Sequence, residues 1–281
     1  MKNIKLKNGV EIPRIGLGTW QINDRERMLA LIGWAYSAGY RLFDTAAAYS
    51  NEIAVGRAVQ IQGLDRRQIF LSDKVWNTSR GYDAVQEACR KSLKKLKTDY
   101  MDLYLIHWPA SPKLYSDWEA INADTWRGME AVYREGLVRA IGVCNFKAHH
   151  LKALMKNADI CPMVNQLELH PGMIQAETVA FCRENDIAVE ASSPLGNGKI
   201  LEHELLQTLA KRYGRSAAQI CLRWSIQKGN IVIPKTSGRD RLHENMDIED
   251  FELTDAEIRK IDALPYCGGL GINPDEVTEF G

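Results

Sequence analysis

The chain has no excess of either charge, with Lys+Arg and Asp+Glu both numbering 36 in 281 residues. Zero net charge gives no bulk field to draw nucleic acid or an anionic membrane, and no basic run with interleaved aromatics replaces it. No apolar run approaches membrane-spanning length, and the N-terminal MKNIKLKNGVEI lacks the apolar centre of a signal peptide. The six cysteines, at 89, 144, 161, 182, 221 and 267, form no CxxC pair and read as buried, reduced thiols of a cytoplasmic protein. His203-Glu204-x-x-Gln207 is a near miss to a zinc motif. Gln is a poor zinc ligand, so it reads as an exposed helix segment and no metal site is expected. No Ser, Gly or Pro run long enough to be a linker divides the chain, and residues 1–281 are expected to form one domain, a monomer.

What is present is alternation. With 45% hydrophobic residues the chain can bury a large core. Ile4 to Ile12 alternates apolar and polar residues around Asn8-Gly9, which predicts a two-residue hairpin plugging one end of the fold. A first strand near Ile15 to Gly18 is followed by strands near 41–45, 69–74, 101–107, 138–143, 163–168, 187–192 and 231–234. Amphipathic helices are predicted between them, at about 25–38, 51–61, 83–96, 117–135, 148–157, 176–185, 203–227 in two pieces, and 239–246. Thr254-x-x-Glu257 is a capping box that opens an extra helix before the tail Pro265 to Gly281. About eight strand-helix units in one domain predict an α/β fold, a single (β/α)8 barrel. A dinucleotide-binding doubly wound sheet would want G-x-G-x-x-G after its first strand. Gly16 and Gly18 are present, but position 21 is Gln.

Active sites of such barrels lie at the carboxyl ends of the strands. Arg41-Leu-Phe-Asp-Thr-Ala-Ala-Ala-Tyr49 delivers Asp44 to a strand end and Tyr49 to the loop beyond. The next two strands end on Lys74 and His107. A free tyrosine titrates near pH 10, and a neighbouring ammonium lowers that value where water is excluded. Lys74 fits this role for Tyr49, and Asp44 keeps the buried lysine charged. His107 can donate a hydrogen bond to a carbonyl oxygen beside the phenol. Together they form a set for reducing C=O.

The motifs around these residues carry a resemblance over nearly the whole chain. Gly16-Leu-Gly-Thr-Trp20, Phe43-Asp-Thr-Ala, Asp73-Lys-Val-Trp76-Asn, Leu105-Ile-His-Trp-Pro109, Gly142-Val-Cys-Asn-Phe146, Val164-Asn-Gln-Leu-Glu168, Ser193-Pro-Leu-Gly196, Ile233-Pro-Lys235 and Asn273-Pro-Asp-Glu-Val277 follow in order. The sequence resembles the aldo-keto reductase family, most closely its bacterial 2,5-diketo-D-gluconic acid reductase branch. The resemblance implies a catalytic tetrad of Asp44, Tyr49, Lys74 and His107, and NADPH as cofactor. It places the nicotinamide carboxamide on Asn145 and Gln166, an amide pair that supplies both donor and acceptor. It further implies cofactor contacts from Gly18, Thr19, Asp44, Ser193, Pro194, Leu195 and Gly196. The adenosine 2′-phosphate falls to Lys235, Thr236 and Arg241, with Ser237 among the cofactor contacts and Glu244 and Asn245 near the adenine. Trp20, Trp76 and Trp108 match positions that wall the substrate pocket with Tyr49 and His107.

Two positions depart from the family's pattern. Cys144 stands where a serine is usual, and Ser192 stands where an aromatic ring usually stacks on the nicotinamide. Gly238 offers no side chain where relatives often do. The expected activity is NADPH-dependent reduction of aldehydes or ketones, with small dicarbonyls or keto-sugar acids as substrates by analogy. The alternative is a nicotinamide-binding regulatory protein with incidental activity. A hydrolase with paired carboxylates is disfavoured, because only Asp44 is clearly placed and Lys74 occupies it.

Overall fold

A computed structural model describes residues 2–277. Eight parallel strands lie side by side in chain order: β3 (Gly16–Gly18), β4 (Leu42–Asp44), β5 (Phe70–Val75), β6 (Leu103–Ile106), β7 (Ile141–Cys144), β8 (Val164–Glu168), β9 (Ala188–Ser192) and β10 (Ile231–Val232). The last strand meets the first through a parallel bridge from Ile15 to Val232 and the bond from Val232 N to Arg14 O at 2.9 Å. The sheet thereby closes into the predicted (β/α)8 barrel. Strands buried on both faces explain why short runs such as Leu103–Ile106 are wholly apolar.

The outer ring is α1 (Arg25–Ser37), α2 (Glu52–Ile61), α3 (Tyr82–Leu96), α4 (Trp118–Arg134), α5 (Ala148–Met155), α6 (Ala176–Glu184), α7 (Glu204–Tyr213), α8 (Ala217–Gln227) and α9 (Arg239–Met246). The predicted two-piece helix over 203–227 breaks where Gly214 takes φ 61 and Ser216 caps α8 in a box with Gln219. His203 is the N-cap of α7, accepting from Leu205 N, which gives the near-miss motif a structural role. The extra helix α10 (Asp255–Asp262) opens on the expected Thr254–Glu257 box. No helix among the described residues is long and apolar enough to cross a membrane.

The hairpin of β1 (Ile4–Lys5) and β2 (Glu11–Ile12) forms, but its loop is not the two-residue turn that Asn8-Gly9 predicts. Leu6 N bonds to Val10 O and Gly9 N to Leu6 O, both at 2.8 Å, and Gly9 sits at φ 89. This is a three-residue loop, a turn followed by a left-handed glycine. Asn8 Oδ1 accepts from Val10 N and its Nδ2 donates to Arg139 O, at the amino end of the barrel. That tertiary bond is invisible to a local pattern. Leu6 and Ile12 then bury themselves in the core. Four cysteines are buried, but Cys161 and Cys267 are half-exposed, short of the predicted full burial.

The tail does not trail off the barrel. Gly269 N donates to Gly196 O at 3.0 Å, and Leu270 N and Gly271 N donate to Glu168 at 2.5 and 2.9 Å. Lys147 holds Asn273 and Asp275, and Ser111 Oγ donates to Val277 O. These anchors follow β9, β8, β7 and β6 in turn, so the tail straps the carboxyl end of the barrel. The final residues of the predicted tail, 278–281, lie outside the described residues, as does Met1.

Candidate active site

Along β5 the side chains alternate, so Ser72 and Lys74 face the barrel interior while Asp73 faces Glu52 and Ser92 on the helices outside. Asp44 ends β4 one strand away. Lys74 Nζ donates to both Asp44 oxygens, at 2.7 and 2.6 Å, and to Thr45 O at 2.9 Å. Ser72 Oγ adds a bond to Asp44 Oδ1 at 3.1 Å. Both charged groups are buried, at 0% and 2% exposure. Burial alone would strip the proton from Lys74, but Asp44 more than offsets it and holds the ammonium above its ordinary range.

Tyr49 closes the 3-10 turn Ala47–Tyr49, with its ring centre 5.2 Å from Lys74 Nζ. The sequence predicts a phenol lowered by that ammonium. The structure retains the pull, but withdrawal from water outweighs it, so the phenol titrates above its ordinary value. The hydroxyl therefore carries its proton throughout the neutral range. His107, 8% exposed, stands edge-on to Tyr49 at 5.7 Å and to Trp76 at 5.1 Å. Burial, then Lys74, push its pKa well below the ordinary value, so the ring is a neutral imidazole with one N–H to donate. The sequence-predicted tetrad comes together in one place.

Above it lies a groove of about 750 Å³. Of the residues predicted to hold a cofactor, Gly18, Asp44, Gln166, Ser192, Ser193, Pro194, Leu195, Lys235, Thr236, Arg241, Glu244 and Asn245 line it, as do Trp20 and Tyr49 from the predicted substrate wall. Others sit differently. Thr19 is buried, its hydroxyl donating to Asp44 O at 2.9 Å, and it supports the floor without facing the groove. Gly196 is buried under Ile200. Cys144 lies below Gln166, its thiol kept protonated by burial. Ser237, Asn145, Trp76, His107 and Trp108 are not among the residues that line the groove.

The amide pair is more specific than the sequence predicts. Asn145, held at φ 64 just past β7, donates through Nδ2 to His107 O at 3.0 Å. Gln166 donates through Nε2 to Asp44 Oδ1 at 3.1 Å and to Glu190 Oε2 at 2.7 Å. Their donors are thus already engaged; the Gln166 oxygen also accepts from the Cys144 thiol at 3.6 Å, which leaves it one lone pair, and the Asn145 oxygen remains to offer. Two acceptors match a primary carboxamide, which has two N–H groups to give. At Gly238 a Cβ would lie 3.3 Å from Arg241 Nε, a tight contact that a shift of a few tenths of an ångström by this exposed side chain would relieve. Arg241 and the exposed Lys235 leave two cations at the start of α9, and the residues present fit a dinucleotide with a 2′-phosphate.

Sequence reasoning missed Gln21, Asn197, Gln207 and Leu270 in the groove wall, and Glu190 beneath it. Glu190 carried a signal. It interrupts an otherwise apolar strand two residues from Ser192, on the same face. It also missed that His149, His150 and Asp275 converge closely enough to hold a metal ion. His150 Nδ1 accepts from Lys147 N at 3.2 Å, so its other nitrogen carries the proton; that nitrogen lies 3.1 Å from Asp275 Oδ1 without hydrogen-bond geometry. With the Lys147 ammonium on the same carboxylate, the group reads as an anchor of the tail.

Residues 14–265 match the aldo/keto reductase family. The chain is 44% identical to "Glyoxal reductase" of Bacillus subtilis (strain 168), over 98% of this chain and 96% of that protein. It is 41% identical to "Methylglyoxal reductase DkgA" of Escherichia coli O157:H7, over 97% of both. Among solved structures it is similar to an aldo-keto reductase of Bombyx mori in complex with NADP, with TM-score 0.84 and 37% identity, covering 92% of this chain and 91% of that one.

Proposed function

The chain belongs to the aldo/keto reductase family and is a carbonyl-reducing oxidoreductase, and from that premise we propose that it reduces small polar dicarbonyls of the glyoxal and methylglyoxal kind with NADPH. The observation that carries this reading is the buried Asp44–Lys74 ion pair beneath Tyr49, with neutral His107 beside the ring. When bound, the reduced nicotinamide supplies a hydride to the carbonyl carbon. As charge builds on the carbonyl oxygen, Tyr49 gives it the phenolic proton. An alkoxide is a stronger base than any phenolate, so a phenol held above its usual value is a sufficient acid here. Lys74 stabilises the phenolate left behind, at a site where low dielectric strengthens the interaction. Asp44 keeps Lys74 charged, and the neutral His107 donates to the substrate oxygen without a charge of its own. Asn145 and Gln166 accept the two N–H groups of the carboxamide. Lys235 and Arg241 pair with the 2′-phosphate.

The experiment is oxidation of NADPH, followed by its absorbance, with glyoxal, methylglyoxal and diketo-sugar acids. Turnover of these compounds is expected. Tyr49→Phe, which removes only the hydroxyl, should lower kcat by about 10²–10⁴-fold with NADPH affinity little changed. Near-normal turnover in that variant would eliminate Tyr49 as the acid.

A further inference from the structure

Glu190 takes no part in the hydride and proton transfers, yet it lies at the centre of the site's charge balance. It is wholly buried inside the barrel, beside Gln166 in the β8–β9 register. Its Oε2 accepts from Gln166, and its Oε1 meets no hydrogen-bond partner among the described residues. An ionised carboxylate with a bare oxygen in such a place is costly. The groups facing it are few. Asp44 comes from β4 and shares the Gln166 amide, Lys74 comes from β5, and the neutral Cys144 thiol comes from β7. From β10 its register neighbour is the apolar Ile231. Lys74 is already neutralised by Asp44. An ionised Glu190 therefore leaves the pocket floor with one net negative charge, and a protonated Glu190 leaves it neutral.

We propose that Glu190 is a positioning residue that locks the Gln166 amide with its nitrogen toward the two buried carboxylates and so fixes which way its oxygen faces, and that its charge state sets how strongly the pocket favours the oxidised over the reduced nicotinamide. This rests on the nicotinamide reading of the groove. The oxidised ring bears a positive charge and the reduced ring none, so only the oxidised form gains from a negative floor. Burial first, and the Asp44 charge second, push the Glu190 carboxyl up to about 7. Below that pH the floor is neutral; above it the floor is negative. NADP⁺ should therefore bind more tightly as pH rises through neutrality, and by linkage its binding should release protons. The 2′-phosphate also titrates, near pH 6, but it is common to both cofactors and cancels in their ratio.

The test is calorimetric titration of NADP⁺ and NADPH from about pH 6 to about 8.5, in buffers of different ionisation enthalpy. In the wild-type protein the affinity ratio of NADP⁺ to NADPH should rise by about three- to tenfold, the effect of a charge at moderate distance in a buried site. Near pH 7 NADP⁺ binding should release more protons than NADPH binding, the 2′-phosphate contributing equally to both. Glu190→Gln keeps an acceptor for Gln166 and removes the charge, so NADPH affinity should stay close to wild type while the ratio becomes independent of pH. Glu190→Val removes both, so the ratio should be flat and both cofactors weaker. A flat ratio in the wild-type protein, or an undiminished slope in Glu190→Gln, would overturn the proposal. Failure of the wild-type protein to bind either cofactor would overturn the nicotinamide reading, and this inference with it.

Discussion

Arg241 lies in the first turn of α9, and its guanidinium passes 3.3 Å from where a Cβ of residue 238 would stand. A guanidinium can bind phosphate through two parallel hydrogen bonds, which a lysine cannot. Arg241→Ala should weaken NADPH by about 1.5–3 kcal/mol, roughly 10- to 150-fold, while NADH is nearly untouched. Fluorescence titration of both cofactors reads this directly. Equal weakening of the two would assign Arg241 to the fold or the adenine. Ser192 lines the same groove and offers no ring there, with Gln166 in the wall beside it.

At the scale of elements, one anchor of the tail is a carboxylate, Glu168, that accepts two successive backbone N–H groups. Gly269 makes this approach possible. It sits at φ 85, and a Cβ there would collide with Glu168 Oε1. The result places Leu270 in the groove wall. Glu168→Gln leaves one acceptor for two donors and turns an amide NH2 toward the backbone. Each lost bond to a charged group is worth about 1.5–3 kcal/mol, so hydrogen-exchange protection at Leu270 and Gly271 should drop at least about tenfold. Barrel amides in β4 to β8 should keep theirs. Unchanged protection at Leu270 would show that the other anchors, the Gly269–Gly196 bond and Lys147–Asp275 among them, hold the tail without Glu168.

Across the whole molecule, neutral net charge conceals buried carboxyls that resist ionisation. Asp73 lies on the outer face of β5, fully buried, and burial, with Glu52 adding, pushes its carboxyl up to about 7. An unfolded Asp titrates near 3.9, so between about 4 and about 7 the folded chain keeps a proton that the unfolded chain has released. Stability from this group therefore falls as pH rises through that window and stays low above it. Asp73→Asn removes the dependence. Its melting temperature relative to wild type should rise between about pH 4 and about pH 7, by the equivalent of about 1–3 kcal/mol. A difference that stays constant with pH would show that Asp73 is ionised in the fold.

The strand-helix alternation and the tetrad were legible in the sequence, because both follow from local order. Burial on two faces makes apolar strands, and a residue at a strand's carboxyl end lands at the barrel mouth whatever its neighbours are. Asp44, Lys74 and His107 could be placed by that rule, and Tyr49 by the short loop that follows Asp44. The tail, the hairpin loop and the orientation of the amides could not. They depend on partners far away in the chain: Glu168 with Leu270, Asn8 with Arg139, and Gln166 with Asp44 and Glu190. The net direction of the Tyr49 pKa was hidden for the same reason. A sequence shows which charge stands next to a phenol, but the extent of its withdrawal from water is a property of the closed barrel, and here that withdrawal outweighs the charge.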